Sequence, residues 1–158
     1  LVRPGIVYVS LSAYGEAGPW QERRGFDSLV QSAMGFNLAE ATAAGVTNPK
    51  PLPMQILDYG TGHLMAFAVA AALRRQHMEG GSWHVRISLA QTGHWLRSLG
   101  RVDNGFAVKV PQREPYIESG PSGFGELAAL RHSAVLSATP ARWVRASAPP
   151  GTHAPVWP

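Results

Sequence analysis

The sequence contains no cysteine. That excludes thiol nucleophiles, thiolate-ligated zinc and a disulfide framework, and it is compatible with the cytoplasm, where the protein is expected to reside. Lysine is nearly absent, with only Lys50 and Lys109, and basic residues go no further than the doublets Arg23-Arg24 and Arg74-Arg75. Nucleic-acid surfaces need a basic stripe. The formal charge of +4 and pI of about 10.0 therefore indicate a mildly basic surface or an anionic small-molecule partner. Charged residues are sparse at 15%, against 45% hydrophobic residues, which is the reverse of a disordered chain. Long apolar runs are also lacking. The longest, Leu64 to Leu73, falls well short of the ~20 residues of a membrane helix, and no signal peptide is visible. Neither nucleic acid nor a membrane is expected as a partner. The six histidines fall in neither an H-x-H nor an H-E-x-x-H spacing, so no metal site is expected.

What is present suits one folded domain. A chain of 158 residues is long enough to bury a core without staples. It begins without Met and close to a strand, and is expected to be truncated at its start. Ile6 to Ser12, rich in β-branched and aromatic residues after Pro4-Gly5, predicts a strand buried on both faces. Phe26, Leu29, Val30, Ala33 and Met34 recur at helical spacing and predict an amphipathic helix from Asp27 to Glu40. Leu52 to Leu57 leads into Asp58, and Tyr59 to Gln76 reads as a helix apolar all round, hence buried. Gly80-Gly81 ends it. Trp83 to Leu89 predicts a second strand and Ala90 to Leu99 a third helix. From Arg101 to Gly125 scattered Gly and Pro predict loop, with one or two short strands between Leu127 and Leu136 and an extended tail holding five prolines from Thr139 on. Strands alternating with helices make an α/β pattern, with an expected division into residues 1–100 and a shorter segment, 101–158.

One carboxylate stands out. Asp58 follows an apolar run and opens a helix, so the amides of Tyr59, Gly60 and Thr61 are expected to point at it, and Gly60 and Gly62 leave room for another molecule near the backbone. Amides and the helix dipole would hold it ionised. Such a group is a nucleophile or a base, or, more commonly, simply a helix cap. Arg24, just before the amphipathic helix that starts at Asp27, suits bidentate phosphate contact or plain solvation. Ser10 and Ser12 lack a G-x-S-x-G elbow, and the glycine clusters at Tyr14 to Gly18 and Gly120 to Gly125 match no nucleotide fingerprint.

Taken in order, these segments resemble family III CoA-transferases. Ile6 to Gly15 with Gly18-Pro19 is similar to the family's strand-and-loop signature, Arg24-Gly25-Phe26-Asp27-Ser28-Leu29-Val30-Gln31 to its next block, Leu57-Asp58-Tyr59-Gly60-Thr61-Gly62 to its catalytic block, and Gly81 to Leu89 to the following strand. Around Leu136 to Pro140 and Gly151-Thr152-His153 the chain also resembles the family's C-terminus.

The resemblance implies a partial family fold without its N-terminal nucleotide-binding part. It implies Asp58 as catalytic carboxylate, Tyr59 and Gly60 as positioning or oxyanion donors, Arg24, Gly25, Phe26 and Asp27 at coenzyme A, and Tyr14 and Gly15 in an active-site loop. The implied reaction transfers coenzyme A from an acyl-CoA to a carboxylic acid through an aspartyl anhydride and an aspartyl-CoA thioester. The implied partners are those two substrates and either an interlocked homodimer or the absent N-terminal part. Acyl-CoA racemases of the same superfamily use a histidine that would fall on Phe26, and Phe cannot accept a proton. A non-catalytic half that binds a partner chain is the other alternative.

Overall fold

The computed structural model describes residues 4–157. Strands β1 (Val7–Ser12), β2 (Trp83–Ser88), β3 (Ile117–Ser122) and β4 (Gly125–Leu130) accompany helices α1 (Asp27–Ala33), α2 (Phe36–Ala43), α3 (Ile56–Glu79) and α4 (Leu89–Ser98). The chain divides into two units, Leu1–Ala107 and Val108–Pro158.

In the first unit β1 and β2 pair in parallel, from Val7 opposite Trp83 to Ser12 opposite Ser88. Parallel neighbours need a long crossover, and α1, α2 and α3 supply it. Ala90 N donates to Ala13 O at 2.9 Å, carrying the ladder past the strand ends. Helix α3 lies against both strands and α4, and Gln76 Nε2 ties its far end to Gly5 O and Gly81 O. The core gathers Val30, Phe36, Leu57 and Leu89, flanked by Tyr14, Met34, Ile56 and Leu96.

Three expectations change. The helix from Asp27 to Glu40 is two helices, because Gly35 takes φ +77° between them, a left-handed turn that glycine adopts without strain. Strand β1 is not buried on both faces: Tyr8 is 55% and Leu11 52% exposed. Alternation places Tyr8, Ser10 and Ser12 beside His84, Arg86 and Ser88 on one face. That face carries a polar chain in which Arg86 and Ser10 both donate to Glu16 and Ser10 meets His84 Nε2 at 2.9 Å. Finally, α3 begins at Ile56 rather than Tyr59 and is largely uncovered among the described residues, with Phe67 73% and Met78 64% exposed. By length and composition alone it is apolar enough to cross a membrane, although no single unbroken run in the sequence is. Its apolar residues run round the whole circumference, and among the described residues the two strands, α4 and α1 leave much of it exposed.

In the second unit β3 and β4 form an antiparallel hairpin, from Ile117 opposite Leu130 to Ser122 opposite Gly125. Residues expected as loop thus supply a strand, and β4 starts at Gly125 and ends at Leu130. Pro121 is tolerated because a two-stranded ladder leaves one strand edge undemanding of amides. Gly123 N donates to Ser147 O at 2.9 Å, holding the tail near the turn.

Candidate active site

The amino end of α3 is held by a residue thirty positions before Leu57. Asp27, the first residue of α1, is 1% exposed, and its Oδ2 accepts from Leu57 N at 2.7 Å and Asp58 N at 3.0 Å. Its Oδ1 accepts from Gln31 Nε2, while Gln31 Oε1 accepts from Leu52 N and its Nε2 also reaches Met54 O. Helix termini leave amides without intrahelical partners. Here a carboxylate from another helix satisfies two of them, and the N-cap residue proper, Gln55, makes no side-chain bond.

This arrangement corrects the expected geometry of Asp58. It does not cap the helix; it is the third residue of α3. The Tyr59 amide does not point at its carboxylate but donates to Gln55 O at 3.1 Å, within the helix. The expected oxyanion role of that amide is lost with it. Nor is the carboxyl held more acidic: partial burial pushes it above the ordinary aspartate range, and the charge of Asp27 adds to the rise. Asp58 itself is exposed, as is Tyr59 beside it. Gly60 packs towards α4, where an added Cβ would lie 3.4 Å from Thr92 Cγ2. Just beyond, Thr61 and Thr92 share a buried hydroxyl bond of 2.7 Å.

The other expected site residues converge here. A Cβ on Gly25 would lie 2.9 Å from Ala13 Cβ, 3.0 Å from Val30 Cγ2 and 3.1 Å from Tyr14 Cε2, so the chain passes too close to the loop after β1 for a side chain. The Tyr14 ring meets Trp20 edge-on at 5.0 Å, and Arg23 lies 4.9 Å over Trp20. Gly15 takes φ +99° and its amide donates to Ser12 Oγ. The Tyr14–Gly15 loop, the Arg24–Asp27 block and the first turn of α3 thus form one cluster. Within it Arg24 is exposed and Phe26 is 80% exposed. Asp27, expected at coenzyme A, instead turns inward to the α3 amides.

Ser10, His84 and Glu16 form a second cluster, on the polar face of the sheet. It is not a nucleophilic triad. Ser10 Oγ donates its proton to Glu16, whereas a triad sets the carboxylate on the histidine and the serine proton on the imidazole. Arg86 holds the Glu16 carboxyl below its ordinary range, assisted by Ser10.

The model of CoA-transferase family III matches residues 1–151. The chain belongs to this family. It is 34% identical over 114 residues to the probable fatty acyl-CoA transferase Rv3272 of Mycobacterium tuberculosis, a match that takes in 71% of this chain and 28% of the relative. Against the acetyl-coenzyme A transferase nodX of Hypoxylon pulicicidum it is 34% identical over 100 residues, 63% of this chain and 17% of the relative. A crystal structure of Rv3272 superposes with a TM-score of 0.52 at 31% identity, covering 59% of this chain and 26% of that one. The chain therefore spans less than a third of these relatives, and its α/β architecture is part of the CoA-transferase family III fold.

For this CoA-transferase family member, sequence reasoning brought Asp58, Arg24 and the Tyr14 loop forward but missed what joins them. The bonds from Asp27 to the α3 amides span thirty and thirty-one residues, and spacing carries no sign of them. The one available signal was an aspartate at the first position of the predicted amphipathic helix, flanked by the apolar Phe26 and, three residues on, Val30. A carboxylate so placed must find donors once buried.

Proposed function

We propose that the protein transfers coenzyme A between an acyl-CoA and a carboxylic acid, with Asp58 as the covalent acyl carrier, acting in the cytoplasm. The observation that supports it is an exposed carboxylate at the start of a helix whose end amides are already occupied by Asp27. A carboxylate without amide partners and with a raised pKa is more basic, hence more nucleophilic, than an ordinary one.

The steps balance without net proton transfer. An Asp58 Oδ attacks the thioester carbonyl carbon, the C–S bond breaks, and coenzyme A leaves as a thiolate, giving a mixed anhydride. The thiolate attacks the aspartyl carbonyl, and the donor acid leaves as a carboxylate. The acceptor carboxylate then attacks this aspartyl-CoA thioester and releases the thiolate again. Attack of the thiolate on the acceptor's acyl carbon frees Asp58. Each exchange trades one carboxylate for another of similar energy, so one difficult transfer becomes several easier ones. Water must be kept from the anhydride. With Asp58 exposed, that task falls in this proposal to a covering surface, either a second copy of this chain in an interlocked dimer or an N-terminal segment of the family fold. The exposed residues of α3 supply apolar area for such a cover.

Arg24 is assigned to the phosphates of coenzyme A, since a guanidinium matches them in geometry and charge. Arg24→Ala is expected to raise the KM for acyl-CoA by about tenfold and leave kcat nearly unchanged, as steady-state kinetics would report. Phe26 has no group that accepts a proton, so α-proton exchange in deuterated water is expected to be absent.

The deciding experiment treats the assembled protein with acetyl-CoA, succinyl-CoA and palmitoyl-CoA in turn, followed by quenching, digestion and mass spectrometry. A coenzyme A thioester on the peptide bearing Asp58 is expected. A folded sample that gains no label there from any of the three overturns the proposal.

A further inference from the structure

A buried carboxylate that accepts from two amides of another helix does more than close a gap. Asp27 lies in α1 and Asp58 in α3, and nothing else among the described residues bonds the two helices at this point through a charged side chain. The first turn of a helix offers its amides to whichever anion reaches them. Left alone, the nearest anion is the carboxylate of that same turn. Asp27 reaches Leu57 N and Asp58 N from the buried side, so the side chain of Asp58 is not needed by its own helix.

We infer that Asp27 is the positioning residue for Asp58: by taking the Leu57 and Asp58 amides it pins the first turn of α3 and keeps the Asp58 carboxylate outward and unpartnered for attack on the thioester. The inference rests on Asp58 being the acyl carrier, and it moves Asp27 from substrate binding to control of the nucleophile. Gln31 completes the device. It donates to Asp27 Oδ1 and anchors to Leu52 N and Met54 O in the segment that leads into α3. The charge of Asp27 is also the only one among the described residues that moves the Asp58 carboxyl, and it moves it upward.

The test compares the parent with Asp27→Asn and Asp27→Ala, each as the assembled protein. Asn retains an oxygen for the two amides and loses the charge; its amide nitrogen then faces Gln31 Nε2, donor against donor. Ala loses the acceptor altogether. Amide exchange at Leu57 and Asp58 is expected to quicken about tenfold or more in Ala and much less in Asn. The Asp58 carboxyl, followed by carbon-13 NMR, is expected to titrate at lower pH in both, since the repulsion is gone, and lowest in Ala, where the freed amides turn to it. The first-order rate of Asp58 labelling at saturating acetyl-CoA is expected to fall about tenfold or more in Ala, with KM unchanged, and Asn should recover part of it. A residue that only stabilised the fold would lower the urea midpoint and leave the Asp58 titration where it was. That result, or equal labelling rates in all three proteins, overturns the inference. A parent that never labels removes the acyl carrier itself, and the catalytic sense of the inference with it, whatever Asp27 does to the titration.

Discussion

Asp58→Asn is expected to abolish the covalent label and to lower the CoA-transfer rate by about a thousandfold or more, the scale on which removal of a covalent nucleophile is felt. The amide side chain keeps the shape of the carboxylate but cannot attack a thioester. Binding of acyl-CoA should persist, because the cationic contact assigned to Arg24 is untouched, so the loss appears in kcat and not in KM. The same substitution has a stability signature. The folded-state pKa of Asp58 is raised by burial and by Asp27, so the folded chain holds the proton more tightly than the unfolded chain does. Stability therefore falls as pH rises from the unfolded aspartate value through the raised folded one, and the ionised carboxylate is a net burden above that window. Asp58→Asn is expected to be as stable as the parent at low pH, where both side chains are neutral, and more stable at neutral pH. Urea midpoints on either side of the carboxylate range check this. A variant less stable than the parent at neutral pH would mean that Asp58 supports the fold and is not held in tension by it.

Leu57→Ala is expected to cost about 3 kcal/mol, within the range for a fully enclosed leucine cut back to Ala. Leu57 is 0% exposed and sits in the cluster of Val30, Phe36 and Leu89, where α1, α2, α3 and α4 meet. Among the described residues only six apolar side chains are buried, Leu57 among them, so little else compensates for the lost contacts. The cavity also lies under the Leu57 amide that Asp27 holds. The loss of packing should thus loosen the first turn of α3 and slow Asp58 labelling as well as lower the urea midpoint. Leu73→Ala, further along the same helix and 50% exposed, serves as the control, with a change of no more than about 1 kcal/mol expected, since surface truncations cost little.

How much of this was legible beforehand depends on the range of the interaction. Helix α4 and strand β2 were placed to within a residue, since local forces set both: glycines precede β2, and α4 starts on its own N-cap, Ser88, whose hydroxyl accepts from Gln91 N. The break at Gly35 was missed because apolar spacing continued across it, and spacing says nothing of φ. The exposure of α3 was missed for a different reason. An all-round apolar helix asks to be covered, but the sequence cannot say whether the cover comes from the same chain.

By itself the sequence determined the α/β class, the family, and the position of Asp58 between an apolar run and a glycine-containing helix, because these rest on residues close together in the chain. Only the tertiary structure decided that Asp58 is the third residue of α3 and not its cap, that the end amides belong to Asp27, and that Gly25 is small so that Tyr14 can lie against it. Those outcomes depend on which groups meet across the fold, where a buried carboxylate must find donors and the side chains of Ala13, Tyr14 and Val30 can close on position 25 only because it carries none.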